Sequence, residues 1–252
     1  MIRLVDGNND FRRMVEAGAS VRGLVQDVEI SPDVVVYVWD GFSALKRRRV
    51  IYPDYKVRRE APSNDFFKSQ ELFQSCLLHT KAIQIRVPEY EADDVIATMA
   101  GRYEVPIYIV STDKDLLALT HHEHVTQSRE PMKECSVADI RLYKTLVGDH
   151  SDNITGIPGF GAKAWDACNK EAFLELILAS RWKMDLPLEE IQETYGVKPH
   201  VAKWLQANVV LLKKMWQIIG FYDVPHDLID SNTIAGTSDR DAVDAILKPL
   251  FQ

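Results

Sequence analysis

Residues 33–41 read DVVVYVWDG, a run of β-branched and aromatic side chains that ends at Asp40 and Gly41. Such residues favour an extended backbone. Because the run is apolar on both faces, it predicts a central strand with helices covering each side. Shorter apolar runs at 2–5 and 106–110 have the same character and predict further buried strands.

Helical patterns alternate with these strands. We expect a helix up to about residue 24, a helix from Ser63 to about His79, an acidic helix over 90–103 and a short helix near 116–119, with another strand at 82–87. This alternation predicts an α/β fold with a mostly parallel central sheet flanked by helices. Ligands of such sheets bind beyond the carboxyl ends of the strands.

Acidic residues stand where three of the predicted strands end, namely Asp6, Asp40 and Asp113. In a parallel sheet all three lie at one edge, where the acidic stretch 91–94 can join them. An acidic first helical turn by itself is ordinary, since it favours the positive end of the helix dipole. Because acidic residues recur at the ends of several predicted elements, the sequence instead predicts a cage for divalent metal ions.

The full acidic set offers oxygen ligands without cysteine or histidine, which selects hard cations such as Mg²⁺ or Mn²⁺. So many acids predict two ions or more, an arrangement that can activate water for attack at phosphorus. The proposed metal ligands are Asp6, Asp40, Glu91, Asp93, Asp94, Asp113, Asp115, Asp149 and Asp152.

The chain has 252 residues and a net charge of −7. Residues 46–60 depart from that balance, with seven basic residues against two acidic ones, and indicate a contact for phosphates. Tyr52 and Tyr55 in this segment are expected to be exposed. No apolar run approaches a membrane span of about 20 residues, and the early charges argue against a signal peptide. Three scattered cysteines predict reduced thiols and a cytoplasmic location.

The chain after residue 134 is predominantly helical in pattern. Glycines at 156, 159 and 161 leave backbone groups open at a helix start, which suits a phosphate or a monovalent cation. A tight helix-to-helix turn is the alternative, and the absence of Gly-Lys-Ser/Thr argues against ATP. Four tryptophans are expected mainly in the core of this region: Trp165, Trp182, Trp204 and Trp216.

We therefore predict an α/β core over 1–134 and a helical region over 135–252. The cluster His121-His122-Glu123-His124 could bind a transition metal, but suitably spaced further ligands are lacking nearby. A polar turn before a short strand is the favoured interpretation.

Several motifs follow one another in a fixed order. They are Leu4-Val5-Asp6-Gly7-Asn8-Asn9, Asp40-Gly41, the segment 53–59, the acidic stretch 91–94, the segment 111–115, and the segment 148–163. Together they closely resemble the 5′-nuclease, or flap endonuclease, family, which includes phage-type 5′-3′ exonucleases and the nuclease domain of bacterial DNA polymerase I.

The resemblance implies a PIN-like 5′-nuclease core, a helical arch at about 42–80 and a helix–turn–helix hairpin at about 147–168. It implies a metal-dependent phosphodiesterase that acts on 5′ ends and flaps of DNA, and on RNA primers. Mg²⁺ is the implied cofactor, with Mn²⁺ as a substitute and K⁺ at the hairpin. Asp6, Asp40 and the acids of 91–94 would serve a first metal site, and the later acids a second.

The same resemblance gives roles to individual side chains. Lys56 and Arg59 match arch cations that contact the scissile phosphate, beside the catalytic Asp6 and Asp40, and Tyr55 would stack on a base. The remaining predicted DNA contacts are Arg12, Arg47, Arg48, Gly156, Gly159, Gly161 and Lys163.

Two other interpretations stay open. One is a DNA junction-binding module that does not cut, and the other is a PIN-type ribonuclease of the small acidic-sheet class. A DNA polymerase or a single-strand-binding protein is the expected protein partner. The chain shows no coiled-coil heptads, and a monomer is expected.

Overall fold

A six-stranded sheet is built around the strand predicted at 33–39. Every pair of neighbouring strands is parallel except β3 with β6, in the order β5-β4-β1-β2-β3-β6. This confirms the predicted mostly parallel sheet. The strands are β1 (Ile2–Asp6), β2 (Val34–Val38), β3 (Ile83–Ile85), β4 (Ile107–Val110), β5 (Val125–Gln127) and β6 (Thr233–Ala235).

Helices cover both faces of the sheet, as predicted. One face packs against helices through Val5, Tyr37 and Trp39, which share a core with Phe11 and Phe73. Successive side chains of a strand point to opposite faces, and helix α5 packs against β1 and β2. The helices of this unit are α1 (Gly7–Glu16), α2 (Val21–Ile30), α4 (Asn64–Leu77), α5 (Ala92–Arg102), α11 (His226–Ser231), α12 (Arg240–Leu247) and a 3-10 helix at Asp115–His121.

The single helix predicted up to about residue 24 is two helices. Gly18 has a φ of +80°, a conformation that ends a helix. The hydroxyl of Ser20 then accepts from the amide of Gly23 and begins α2. Ser63 begins α4 in the same way, through the amide of Phe66, as the sequence predicts.

A second unit is helical and has its own core. Helix α10 packs against α6 and α9, and Trp165 and Phe173 are buried with Leu205 in the centre. Trp204 and Trp216 are half-buried at its margin, and Trp182 lies outside the described residues. The helices are α3 (Lys46–Ile51), α6 (Ile140–Val147), α7 (Ala162–Ala167), α8 (Lys170–Leu178), α9 (Leu188–Tyr195) and α10 (Pro199–Ile219).

The computed structural model describes residues 1–180 and 183–248. Its first unit comprises Met1–Ala44, Glu60–Glu130 and Tyr222–Gln252, and its second Leu45–Arg59 and Pro131–Phe221. This division differs from the predicted boundary at residue 134. Tyr52 and Tyr55 pack in the helical core, which brings 45–59 into the second unit, and β6 pairs with β3, which returns the C-terminal segment to the first.

Candidate active site

Three acidic residues lie at the carboxyl edge of the sheet in the first unit. Asp6 is the last residue of β1, Asp40 follows β2, and Asp113 follows β4. Strands β2 and β4 flank β1 directly, so the topology places the three acids side by side. The negative charges of Asp40 and Asp113 both act on the carboxyl of Asp6.

Asp6 is buried and fastened at both oxygens. Oδ1 accepts from the backbone amide of Asn9 at 3.2 Å, and Oδ2 accepts from the hydroxyl of Ser111 at 2.9 Å. Burial and the charge of Asp40 raise the pKa of Asp6 to about 7, although these two hydrogen bonds act in the opposite direction. Burial and a neighbouring like charge thus disfavour the ionised form of Asp6.

Asp40 connects the sheet edge to the acidic helix α5. Its Oδ1 accepts from the backbone amide of Ala92 at 2.9 Å, and its Oδ2 accepts from the side-chain amide of Asn8. Asn8 in turn accepts from Gln70 on α4. The carboxylate is thus oriented by three elements around the sheet edge.

The start of α5 carries three acids with different surroundings. Glu91 is buried at the N-cap position and Asp93 is half-buried. Asp94 is completely buried, and its two oxygens accept from the backbone amides of Glu91 at 3.2 Å and Tyr222 at 2.8 Å. This geometry favours a bracing role for Asp94, at the helix start and the C-terminal segment, over its predicted role as a direct metal ligand.

The loop after β4 presents Asp113, and the 3-10 helix that follows begins at Asp115; both side chains are half-buried. Oδ1 of Asp113 accepts from the amide of Asp115 at 2.9 Å. Gln127 on the neighbouring strand donates to the carbonyl oxygens of Ser111 and Asp113, and this fixes the loop backbone.

In the second unit, Asp149 forms a close ion pair. The Nζ of Lys144 lies 2.6 Å from its Oδ2, and Ser151 donates to its Oδ1 from both the backbone amide and the hydroxyl. Burial alone would raise the pKa of Asp149, but Lys144 and Ser151 lower it below its usual value. Lys144 was not among the residues predicted from the sequence, although its place in the last turn of α6, five residues before Asp149, was a usable signal.

Asp152 is surrounded by the basic segment. The distances from its oxygens are 3.9 Å to Nζ of Lys56, 3.4 Å to the guanidinium of Arg59 and 3.4 Å to the hydroxyl of Tyr55. Burial raises the pKa of Asp152 despite the two cations, and Asp149 adds to that rise. The structure thus brings Lys56 and Arg59 next to Asp152, which lies 93 residues after Arg59 in the sequence.

Lys56 has an unusual backbone conformation. Its φ is +53°, a backbone conformation that residues other than glycine rarely adopt. Its amide donates to the carbonyl oxygen of Asp152 at 3.0 Å, and its ammonium lies 4.9 Å from the ring centre of Tyr55. Strained backbone of this kind persists where the surroundings enforce it, often at functional sites.

The basic segment is less exposed than predicted. Tyr52 and Tyr55 are buried, so the expectation that they are exposed is wrong. Arg48 is also buried, and it donates to the carbonyl oxygens of Ile218 at 2.8 Å and Gly220 at 3.0 Å. Its geometry indicates a structural role in place of the predicted DNA contact. The predicted DNA contacts Arg12, Arg47, Arg59 and Lys163 are exposed.

The three glycines of the hairpin between α6 and α7 differ in backbone conformation and in the space around them. Gly156 has a φ of +64°, and a Cβ there would lie 2.4 Å from the amide nitrogen of Gly148. Gly159 has a φ of +75°, and a Cβ would meet His200. At Gly161 nothing in the described chain lies within 4 Å of a Cβ position, which leaves room for a ligand to approach the backbone.

The histidine cluster ends the 3-10 helix and precedes β5. His121 and His124 contact the carbonyl oxygens of Ala118 and Ala100 through ring nitrogens. This agrees with the predicted polar turn. Within the described ranges, no helix is both long and apolar enough for a membrane span.

Comparison with known proteins adds a family relationship. A family model described as "5'-3' exonuclease, N-terminal resolvase-like domain" matches residues 10–145. The flap endonuclease Xni of Shewanella woodyi is 34% identical over 187 residues, which are 64% of this chain and 73% of the relative. The 5′-3′ exonuclease of Aquifex aeolicus is 32% identical over 146 residues, 52% of this chain and 50% of the relative.

A bacterial DNA polymerase and a phage protein are also similar to this chain. DNA polymerase I of Rhizobium leguminosarum is 30% identical over 218 residues, 80% of this chain; the match spans only a fifth of the polymerase's length (20%). A T5 protein co-crystallised with metal ions has a TM-score of 0.63 at 20% identity, covering 99% of this chain and 98% of that one. At this identity the likeness shows a common fold.

Proposed function

The chain belongs to the 5′-3′ exonuclease family, and from that premise we propose that it is a metal-dependent 5′ nuclease that hydrolyses phosphodiesters of DNA. The proposed substrates are 5′ flaps and 5′ ends, including RNA primers. The similarity to proteins named flap endonuclease and 5′-3′ exonuclease supports this activity. The chain's own acidic edge supports the metal requirement.

The observation that carries the proposal is the pair Asp6 and Asp40 at the carboxyl edge of the sheet. Burial together with the Asp40 charge raises the pKa of Asp6 to about 7. Two acids held together where burial and mutual repulsion disfavour their charged forms cost the folded protein stability. A divalent cation would remove that cost, and oxygen-only donors suit Mg²⁺ or Mn²⁺.

The residues of the first unit that we propose as metal ligands are Asp6, Asp40, Glu91, Asp93, Asp113 and Asp115, with Asp94 as a brace. Such ions, when bound, would activate water and stabilise the leaving oxygen. Asn8, Asn9 and Ser111 keep the ligand carboxylates oriented through their hydrogen bonds. Orientation of this kind matters because Mg²⁺ demands near-ideal geometry.

In the second unit we propose Asp149 and Asp152 as further ligands and Lys56 and Arg59 as phosphate contacts. The two cations currently face Asp152 at 3.9 and 3.4 Å. A phosphate group offers them charge-assisted hydrogen bonds of the same kind. Tyr55 is proposed to stack on a base only after its ring leaves the core that now buries it.

The open backbone at Gly161 supports a role for the hairpin in gripping the duplex backbone, with K⁺ as the proposed ion there. A polymerase or single-strand-binding partner, a monomeric state and a cytoplasmic location remain predictions from the sequence. The ribonuclease alternative would cut RNA in preference to DNA. The junction-binding alternative would bind branched DNA and leave it intact.

The test uses a double-flap DNA labelled at its 3′ end, beside the same duplex without a flap. With Mg²⁺ we expect a labelled product cut near the junction, and a loss of product with EDTA. Asp40→Asn should abolish cutting while duplex binding persists. Lys248→Gln, an exposed change at the end of α12, serves as the matched control. Tight binding without product in Mg²⁺ or Mn²⁺ would favour the junction-binding alternative.

A further inference from the structure

A cleft of about 580 Å³ lies in the first unit, alongside α4 and beside strands β3 and β6. Its walls include Trp39, Gln74, Gln84, Arg86 and Asn232. Its volume falls within the usual range for small-molecule sites, about 300–1,000 Å³. The metal ligands proposed above do not line it, although Trp39 in its wall directly precedes Asp40 in the sequence.

Arg86 gives this cleft its hydrogen-bonding character. One terminal nitrogen donates to the side-chain oxygen of Gln74 at 3.0 Å. The Nε atom is shielded from solvent, and in the part of the chain that the structure describes no acceptor bonds to it. A shielded donor without an acceptor is costly, so a ligand acceptor that meets the guanidinium after a small rotation would gain a full hydrogen bond.

An exposed aromatic ring lies against the same guanidinium. Phe42 is 72% exposed, and the Cζ of Arg86 lies 5.4 Å from its ring centre. The backbone of Phe42 is held by a hydrogen bond from the amide of Glu89 to its carbonyl oxygen, at 2.8 Å. The ring and the guanidinium therefore form a stacking pair, and the hydrogen bond from Glu89 fixes the backbone that carries the ring. Phe42 lies two residues after Asp40 in the sequence.

The charges around Arg86 indicate the class of ligand. Burial lowers the pKa of Arg86, and the negative charges of Asp40 and Glu71 both act against that shift. Two carboxylates beside one cation disfavour a phosphate, which would be repelled by both. A neutral group with several acceptor atoms and a flat face fits better, and an unpaired nucleobase has both.

We propose that Phe42 and Arg86 form a subsite for one unpaired nucleobase of the DNA substrate, with guanine preferred. Phe42 supplies the stacking face, and the fork of Arg86 donates to O6 and N7, the acceptor pair that distinguishes guanine. Gln74 holds the guanidinium in place. The subsite rests on the proposed nuclease function, and it would position the unpaired strand next to Asp40.

The test measures binding in EDTA, where no cutting is needed. Fluorescence anisotropy is recorded for 5′-flap DNAs in which each of the first three unpaired nucleotides is in turn G, 7-deaza-G, A, C or T. At one position we expect G to bind about 5- to 150-fold more tightly than T. The analogue 7-deaza-G keeps the ring face but lacks the N7 acceptor, and it should lose about fivefold or more of that affinity.

Variants separate stacking from hydrogen bonding. Phe42→Ala should weaken binding of all bases at that position about tenfold. Arg86→Lys keeps the charge and most of the stem but lacks the planar fork, and it should equalise G and 7-deaza-G. Ile30→Ala removes an apolar side chain of similar exposure on α2 and should behave as wild type. Thermal melting of each variant shows that it is folded.

Equal affinities for all bases at every position, or a guanine preference that survives Arg86→Lys, would overturn the subsite. A parallel cleavage assay with Mg²⁺ keeps the two proposals apart. Cleavage without base preference in binding contradicts the subsite alone. Base preference without any cleavage contradicts the nuclease activity and leaves the subsite standing.

Discussion

The ammonium of Lys144 lies 2.6 Å from Oδ2 of Asp149, and both side chains are largely buried. The pair stands at the end of α6, where Gly148 turns the chain with a φ of +97°. A buried carboxylate without a partner is strongly destabilising. Lys144 therefore stabilises the folded hairpin while it keeps Asp149 ionised, which is the form that the proposed metal ligand requires.

Replacing Lys144 by Met should reduce the free energy of unfolding at pH 7 by about 3–5 kcal/mol, because it leaves a buried charge unpaired. The pKa of Asp149 is lowered in the folded state, so its stabilising effect exists above its unfolded pKa and disappears as the pH falls through the folded one. Since both pKa values lie at or below 3.8, the loss in Lys144→Met should be smaller near pH 3 than at pH 7. Urea denaturation at both pH values measures it.

Asp149→Asn provides the control for this pair, since a neutral amide needs no cation. In the double variant, the cost of removing Lys144 should be much smaller than in the wild-type background. Equal costs in the two backgrounds would show that the ion pair contributes nothing to stability.

The raised pKa of Asp6 predicts that the stability of the metal-free protein depends on pH in the opposite direction. Burial and Asp40 raise its pKa from 3.8 to about 7. The folded state thus holds a proton that the unfolded state has released, and stability falls as the pH rises between those two values. We expect the Tm in EDTA to decrease from pH 5 to pH 8, and Mg²⁺ to raise it most at pH 8.

Asp6→Asn tests the origin of that slope by thermal melting in the same buffers. The variant should lose most of the pH dependence in EDTA and most of the stabilisation by Mg²⁺. A slope identical to that of the wild type would assign the effect to other groups.

Lys56 predicts a kinetic effect. Its ammonium is held near Asp152 and the Tyr55 ring, on a backbone with positive φ. If it stabilises charge in the transition state, Lys56→Ala should lower turnover at saturating substrate by about 10²- to 10³-fold. Single-turnover cleavage of the flap substrate measures this, with Lys248→Gln as control. Full turnover at saturation, with only weaker binding, would contradict the assigned role.

The sequence predicted the sheet and its acidic edge because these depend on local patterns. Apolar runs identified the strands, and the acids that follow them necessarily share one edge of a parallel sheet. It could not predict which acids brace and which remain available, since Asp94 is engaged by the amide of Tyr222, far along the chain. The same limit applies to Arg48, whose acceptors are the carbonyl oxygens of Ile218 and Gly220.

Arg47 and Arg48 are adjacent in sequence but differ in burial, and this difference leads to a further prediction. Arg47 is exposed, and Arg47→Ala should leave the Tm unchanged while it reduces the slope of log affinity against log salt by about 1. Arg48→Ala should do the reverse: it uncovers two carbonyl oxygens, each costing about 1–3 kcal/mol if left unpaired, and should lower the Tm. DNA binding at several salt concentrations, beside thermal melting, distinguishes the two. An unchanged Tm in Arg48→Ala, with a reduced salt slope, would return Arg48 to the DNA contacts, because a residue that only holds the chain together cannot release counterions from DNA.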